Sequence, residues 1–188
     1  YFKNREFMKE IYEKYEEHFD SSNYGIKQSD FWKGQLILSK TLVYFDPDLK
    51  KAYELIPEKF DDIIELKKYS QVVDEEINKC LEDFENEKKV YGDLYFWEFN
   101  PQYKIKSIVS NILSKKEPNK TFLFISPRDD KMTISIRRQD GEVNLVELLE
   151  KLLSGFENSN SGGHFKAAGG YFQKKDLDNF RKKVESLE

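Results

Sequence analysis

The residues best suited to chemistry stand close together near the carboxyl end of the chain. Five of the nine glycines fall within residues 155–170, and one of only two histidines stands among them, in the stretch Ser161-Gly162-Gly163-His164. Consecutive glycines allow the main chain to approach a ligand and to turn its N–H groups toward an anion, and a neighbouring histidine can donate to a phosphate oxygen. We therefore predict a phosphate or nucleotide cradle in this loop, with Lys166 adding positive charge. A glycine turn beside a surface histidine is the alternative interpretation.

Arg137 is the second candidate, because it ends a predicted strand and is therefore carried by a rigid element. Residues 132–138 alternate apolar and polar side chains, as a half-buried strand does. The planar guanidinium of arginine suits bidentate contact with phosphate and stacking under a base. Arg128, Lys131 and Arg138 lie nearby in the sequence and would widen a basic rim, but a solvated strand end explains each of them better.

These candidates require a scaffold, and the second half of the chain predicts one of α/β type. Short apolar and aromatic runs predict strands over 93–99, 121–126, 132–138 and 168–172. Helical spacing predicts helices over 103–113, 145–153 and 176–187, and 156–163 is predicted to be a polar loop that ends in glycine. The order of these elements predicts a small mixed-sheet α/β domain over residues 91–188.

The first half of the chain predicts helices and carries no catalytic motif. Large apolar residues recur at helical spacing over 2–19, a break follows at 20–25, and a second helix is predicted over 29–45. Asp46-Pro47 is predicted to open a short helix, Pro57 to open another, and Ser70 to cap a longer one that ends near Gly92. We therefore predict a helical connector region over residues 1–90.

Composition excludes several classes of protein. The 188 residues include 15 Phe, 11 Tyr and 2 Trp, an aromatic content that disordered chains lack. No apolar run approaches the ~20 residues that span a bilayer, and a single cysteine, Cys80, excludes an intramolecular disulfide. We expect Cys80 to be buried and inert in an amphipathic helix. The sequence thus suggests a soluble, cytoplasmic chain without a membrane partner, and its start at Tyr1 suggests a fragment of a longer protein.

The two halves of the chain differ in charge. Residues 1–90 carry 15 basic and 21 acidic residues, a net charge of −6, whereas residues 91–188 carry 16 and 14, a net charge of +2. An acidic surface is a poor partner for phosphate backbones, and a mildly basic one is a tolerable partner. A nucleic-acid ligand would therefore be expected on the second half.

The motifs of the second half together resemble the DHHA1 domain, the substrate-binding part of the DHH phosphoesterases, which include RecJ-like exonucleases and nanoRNases. The resemblance rests on an Ile-Ser-Ile-Arg strand at 134–137, a helix that follows it, and Gly-Gly-His followed by Ala-Ala-Gly at 162–169. It covers about residues 93–188. By this resemblance, Gly162, Gly163 and His164 would bind the substrate phosphate facing the catalytic metals, and Arg137 would hold the nucleotide of a single-stranded DNA or RNA or of a short oligonucleotide.

The same resemblance implies that the chemistry lies outside this chain. In the family, aspartates and histidines of a DHH domain hold Mn²⁺ or Mg²⁺ ions for phosphodiester hydrolysis. This sequence has no Asp-His-His motif, and its carboxylate pairs, Asp61-Asp62 and Asp129-Asp130, are better explained as solvated charge. We therefore expect no cofactor in this chain, a missing DHH domain as a partner, and no hydrolysis by this chain alone. One departure from the family pattern is Ser161, which replaces a usual glycine.

Two other functions remain open at this point. The chain could be an RNA-binding module like the C-terminal domain of alanyl-tRNA synthetase, although that version carries arginine after its glycines and an Ala-Gln-Ala-Gly run. It could also be a catalytically inert scaffold that binds a replication or repair protein, which the acidic helical half and Ser161 would suit. A scaffold should tolerate the loss of His164 and Arg137, whereas a substrate-binding domain should not.

Overall fold

The computed structural model describes residues 30–187, and the chain divides into two compact units between Glu75 and Glu76. This division falls inside a long helix, earlier than the boundary near residue 90 that the sequence suggested. The predicted helix over 2–19, which contains the second histidine, His18, and the predicted break over 20–25 lie outside the described residues. Within residues 30–187, no helix is both long and apolar enough to cross a membrane.

The described part of the first unit, residues 30–75, is helical, as predicted. Its described elements are α1 (Asp30–Phe45), α2 (Leu49–Glu54), a 3-10 helix (Phe60–Leu66) and the beginning of α3 (Lys67–Glu87). Aromatic rings hold part of this unit together, since Phe45 packs edge-on against Tyr44 and Tyr69 with ring centroids 4.9 and 4.8 Å away. Such edge-to-face pairs contribute beyond the apolar area that they bury.

Two of the predicted helix starts in this unit are wrong. Asp48, and not Asp46, caps α2, because its carboxylate stands directly before Leu49 and accepts the backbone N–H of Lys51 at 3.3 Å. Ser70 lies inside α3 and does not cap it. Its hydroxyl donates to the carbonyl of Lys67 at 3.1 Å, a bond that serines form within helices.

The second unit is built on a six-stranded mixed sheet with the strand order β1-β2-β3-β4-β6-β5. Only β2 and β3 run parallel, and every other neighbouring pair is antiparallel. The described elements after α3 are β1 (Lys89–Tyr91), β2 (Leu94–Glu98), α4 (Lys106–Lys116), β3 (Thr121–Arg128), β4 (Lys131–Arg137), α5 (Leu145–Leu153), β5 (Asn160–His164), β6 (Ala167–Gln173), a 3-10 turn (Lys174–Asp176) and α6 (Leu177–Glu185). The predicted architecture, a helical region followed by a small mixed-sheet α/β domain, is confirmed.

The two faces of the sheet are packed differently. On one face, aliphatic side chains of the central strands, such as Leu123 and Ile136, form a core with α5 and α6, to which Leu149 and Phe180 contribute. The other face, here called the α4 face, carries an aromatic cluster over β2 and β3. Its members, all within 6.2 Å of a neighbouring ring centroid, are Phe84, Tyr95, Trp97, Phe99, Phe122 and Phe124.

Helix α4 extends the cover of this second face toward β4. Its Ser110 hydroxyl lies 3.4 Å from that of Ser135, and its Lys106 ammonium donates to Thr133 at 2.5 Å. Strand β4 alternates as predicted, with Ile134 and Ile136 in the aliphatic core and the intervening polar side chains on the α4 face. Two described strands of the unit, β1 and β5, were not predicted from the sequence.

Strand β1 occupies a segment that was predicted to be helical. Helix α3 ends at Glu87, and Lys89–Tyr91 pair with β2 through a two-residue turn in which Gly92 has a φ of +55°. Since β1 is an edge strand of three residues, it has too little apolar patterning to be distinguished from a helix end. Cys80 lies on α3 and is buried, as predicted, and burial raises the pKa of its thiol to about 11.

Candidate functional site

The predicted glycine loop is in fact an edge strand of a tight hairpin. Gly162, Gly163 and His164 belong to β5 and pair with β6, and Phe165 and Lys166 form the two-residue turn between the strands. The prediction of a loop over 156–163 is therefore wrong for its last residues. The strand was hidden because its sequence, NSGGH, has no apolar side chain to mark it.

Main-chain hydrogen bonds hold the tip of this hairpin in place. The N–H of Leu145, at the start of α5, donates to the carbonyl of Phe165 at 3.0 Å. The N–H of Arg138, just beyond β4, donates to the carbonyl of Lys166 at 3.1 Å. The segment that carries His164 is thus anchored to a helix and to the neighbouring strand, so its position relative to the sheet is well defined.

The alternation of side chains along β5 divides its residues between the two faces of the sheet. Gly162 and His164 lie opposite Gly169 and Ala167 of β6, on the α4 face. Ser161 and Gly163 lie opposite Gly170 and Ala168, toward the α5 side. Because the partners on the α4 face are Gly and Ala, no bulky side chain of β6 separates Gly162 and His164 from the rest of that face.

The glycines of this hairpin serve different purposes. A Cβ on Gly163, whose φ is +146°, would lie 2.4 Å from the carbonyl oxygen of Ala167, and a Cβ on Gly170 would lie 2.2 Å from that of Asn160. Close approach of the two main chains therefore requires both glycines. A Cβ on Gly162, by contrast, would meet no described heavy atom within 4 Å. Packing gives no reason for glycine at that position, which borders an open depression of about 360 Å³.

Arg137 and His164 share a transverse row of the sheet. Arg137 pairs with Ala167, and Ala167 pairs with His164, so all three side chains lie on the α4 face. Two inter-strand spacings put the Cα atoms of Arg137 and His164 about 10 Å apart. The Nε of Arg137 is buried and has no hydrogen-bond partner among the described residues. A buried donor without a partner is costly, so this guanidinium is equipped to receive an external acceptor.

Lys166 is also brought near this row, but its ammonium is already engaged. Its Nζ donates to the carbonyl oxygen of Gln139 at 2.6 Å, and its side chain packs beside Gly141. The lysine is exposed at the hairpin turn. It therefore contributes positive charge at the rim of the surface, and its hydrogen bond helps to fix the turn.

Arg138 does not belong to a basic rim. It is only 8% exposed, and its Nε donates to Oδ1 and its terminal NH2 to Oδ2 of Asp140, at 2.8 and 2.9 Å. Hydrogen bonding from Arg138 lowers the pKa of Asp140 to about 2. The explanation of Arg138 as a solvated strand end was wrong. Arg138 directly follows Arg137, so its side chain points to the opposite side of the sheet, where it is buried. Lys131 lies over the ring of Tyr171, 4.2 Å from its centroid.

A third basic group lies on the α4 face, and it was not among the residues predicted from the sequence. Lys106, the first residue of α4, donates to Ser126 and Thr133 at 3.2 and 2.5 Å, and these hydroxyls belong to β3 and β4. Burial, and secondarily the charge of Arg128, lowers the pKa of Lys106 to about 8. The available signal was the run of polar residues on one side of β4, since Thr133 and Ser135 alternate with isoleucines.

The residues that the structure describes offer no place for a metal ion. Among residues 30–187, no group of three or more His, Cys, Asp or Glu side chains is arranged to hold one. Metal-dependent hydrolysis needs such ligands, often carboxylates and imidazoles that converge on one or two ions. The candidate site described above consists of glycines, a histidine and an arginine, and no step of a reaction is assigned to a metal on it.

Comparison with known proteins agrees with this interpretation of the fold. The structure is similar to RecJ from Thermus thermophilus in complex with Mg²⁺, with 15% sequence identity and a TM-score of 0.58 over 80% of this chain. It is also similar to the pGpG-specific phosphodiesterase PggH from Vibrio cholerae (16% identity, TM-score 0.52, 92% of this chain) and to CDC45 from Entamoeba histolytica (8%, 0.52, 96%). A search of curated protein sequences finds no significant match.

The chain is shorter than each of these proteins. It spans 24% of the RecJ chain, 60% of the phosphodiesterase and 43% of CDC45. The family model of the DHHA1 domain matches residues 87–187, more than half of the chain, and this range contains the hairpin, Arg137 and all six strands. The chain therefore belongs to the DHHA1 domain family.

Proposed function

We propose that this chain is the substrate-binding part of a RecJ-like DHH phosphoesterase and that it grips single-stranded nucleic acid or short oligonucleotides by phosphate and base. The observation that carries the proposal is the row Arg137–Ala167–His164, with the open surface of Gly162 beside it. The row presents a cationic fork and an imidazole on one face of a rigid sheet, with only a methyl group between them.

The phosphate would lie against β5. His164 is exposed and can donate to a phosphate oxygen, and the absence of a side chain at Gly162 lets the phosphate approach the main chain. β5 is an edge strand, so the N–H groups on its outer side point away from β6 and have no neighbouring strand to bond with. These N–H groups can donate to an anion. Ser161 does not obstruct this approach, because its side chain lies on the opposite face from Gly162 and His164.

Arg137 would hold the nucleotide from the other side of Ala167. Its guanidinium can form two parallel hydrogen bonds with a phosphate or stack under a base, and a ligand would satisfy the buried Nε. The separation of about 10 Å between its Cα and that of His164 allows the two side chains to act on different parts of one nucleotide.

Hydrolysis would require groups that the described residues do not supply. We propose that a DHH domain, which in this family is expected to bind Mn²⁺ or Mg²⁺, cuts the strand that this domain holds. The chain alone should then bind without cleaving. Incubation of the purified 188-residue chain with a 5′-labelled oligonucleotide and Mn²⁺ tests this, and multiple turnovers would refute it.

The binding proposal is tested by NMR titration of the labelled chain with a 5′-phosphorylated dinucleotide, first at low salt and then at raised salt. Shifts that concentrate on Gly162, Gly163, His164 and Arg137 and weaken with salt would support the proposal. The variant Lys115→Met, which removes an exposed charge elsewhere, should give the same shifts as the wild type. If millimolar ligand shifts none of the four signals, the surface does not bind nucleotides by itself, and an inert scaffold that binds a replication or repair protein becomes the better explanation.

A further inference from the structure

A second polar cavity lies at the opposite end of the α4 face from His164. It has a volume of about 380 Å³. The side chains that matter for its chemistry come from α4, β3 and β4, and they are Lys106, Ser126, Arg128 and Thr133. Three cations, Lys104, Lys106 and Arg128, line this cavity together with several hydroxyl groups, which is the composition of an anion site.

Lys106 is the central group of this cavity. Its ammonium is largely withdrawn from water, and it is held by two neutral oxygens, those of Ser126 and Thr133. Among the described residues, no carboxylate forms an ion pair with it. The nearby Arg128 adds a like charge, which makes the potential in the cavity more positive. A desolvated cation without a counter-ion is costly, and an anionic ligand would remove that cost.

The cavity and the Arg137 row are connected along a single strand. Thr133 and Arg137 are four residues apart on β4 and lie on the same face, so their Cα atoms are about 13 Å apart. Ser135 lies between them, with the hydroxyl of Ser110 at 3.4 Å and with Gly169 as its partner on β6. Ser110 is fully buried and Ser135 is half-buried, so the path between the two cationic groups runs beside α4, over Ser135 and Gly169, where side chains are small or absent.

We propose that Lys106, Arg128, Ser126 and Thr133 form a second phosphate subsite, so that this face holds an oligonucleotide and measures its length. The inference rests on the function proposed above. A stacked strand rises about 3.4 Å per nucleotide, so about 13 Å corresponds to roughly four steps, and to fewer when the strand is extended. A dinucleotide occupies the Arg137 row without reaching Lys106, whereas a hexanucleotide reaches both.

The test compares two ligands and two variants in the complete chain. Binding of 5′-phosphorylated dithymidylate and hexathymidylate is measured by calorimetry at several salt concentrations for the wild type, Lys106→Met and Lys115→Met. Lys106→Met should weaken hexanucleotide binding about tenfold and reduce its salt slope by about one, because one charged contact with phosphate is lost. Its affinity for the dinucleotide should equal that of the wild type. Lys115→Met, which removes an exposed charge from the same helix, should change neither affinity.

The outcomes separate this inference from the proposed function. If the wild type binds neither ligand, the proposed function fails, and the inference fails with it. If the wild type binds both and Lys106→Met weakens neither, or weakens both equally, only the second subsite is refuted. If a polyglutamate peptide displaces the hexanucleotide from the wild type but not from Lys106→Met, the cavity is a site for acidic protein, and the inference is wrong. Should Lys106→Met not fold, Thr133→Val removes one hydroxyl at nearly equal volume and should weaken only the hexanucleotide.

Discussion

Arg137 and His164 stand on either side of Ala167, in one row across three adjacent strands. Both side chains are carried by paired strands, and the hairpin that bears His164 is anchored by main-chain hydrogen bonds from Leu145 and Arg138. Their separation is therefore set by the spacing of the sheet. Groups held in this way lose little freedom when a ligand binds, which is how a small surface achieves useful affinity.

Alanine substitution of the two adjacent glycines of β5 should affect stability differently. Gly162→Ala should change the free energy of unfolding by no more than about 0.5 kcal/mol, because the new methyl group meets open space. It should still weaken nucleotide binding, since the methyl group holds the phosphate away from the main chain. Gly163→Ala should lower the free energy of unfolding by about 1–3 kcal/mol, because its Cβ would overlap the Ala167 carbonyl at a positive φ.

Urea denaturation and titration with a 5′-phosphorylated dinucleotide measure both effects. Gly163→Ala serves as the control for structural damage, because it alters the same strand on its other face. Equal dinucleotide affinities of Gly162→Ala and the wild type would show that glycine is not required there for binding.

Arg137 should contribute to nucleotide binding without stabilising the folded state. Its buried Nε has no partner among the described residues, so Arg137→Met should leave the free energy of unfolding unchanged or raise it. The affinity of the same variant for the dinucleotide should be lower than that of the wild type by about tenfold or more. Arg137→Lys keeps the charge but loses the planar fork, so it should restore only part of the affinity. Full affinity of Arg137→Lys would indicate that charge alone matters, and marked destabilisation of Arg137→Met would assign the arginine a structural role.

The parts of this fold that the sequence predicts are those in which side chains are buried periodically. Helix α5 was predicted to the residue, because leucines recur along one side; in the structure Asn144 also caps it, with its side chain accepting the N–H of Val146 at 3.2 Å. Strand β4 was predicted to within one residue at each end by the alternation of Ile134 and Ile136 with polar positions. Local pattern and tertiary packing agree in both elements.

The candidate site was predictable in composition but not in geometry. Glycines and a histidine indicated a phosphate cradle. The strand β5 forms because Gly163 and Gly170 let two main chains pair closely, and such pairing requires no pattern of apolar residues that sequence analysis could detect. The Lys106 cavity was not predictable at all. Its lysine lies 20 and 27 positions from the hydroxyls that it contacts, and only the packing of α4 on the sheet brings them together.

The low pKa of Lys106 should appear in the pH dependence of stability. Burial, followed by the charge of Arg128, lowers the folded-state pKa to about 8 from an ordinary value of 10.5. The unfolded chain therefore binds more protons between these values, and the free energy of unfolding should rise with pH from about 8 to about 10.5. The gain relative to Lys106→Met should be on the order of 3 kcal/mol, since each pKa unit corresponds to about 1.4 kcal/mol. Parallel stability curves for the two proteins over this range would contradict the assigned burial of the ammonium.

Asp140 should govern part of the acid sensitivity of the domain. Hydrogen bonds from Arg138 and from the N–H of Glu142 lower its folded-state pKa to about 2, against an ordinary value of 3.8. A depressed carboxylate pKa stabilises the folded state above the unfolded value, so this contribution is present at neutral pH and should be lost as the pH falls from about 4 to about 2.

The variant Asp140→Asn isolates this contribution. It retains the size of the side chain but cannot titrate, so its free energy of unfolding should be lower than that of the wild type at neutral pH and should fall less steeply between about pH 4 and pH 2. Glu150→Gln, an exposed carboxylate on α5, is the matched control and should follow the wild type. Because the N–H of Arg138 also holds the hairpin tip through Lys166, loss of its anchor at Asp140 should weaken dinucleotide binding as well. An Asp140→Asn variant with wild-type affinity would show that the hairpin keeps its position without this ion pair.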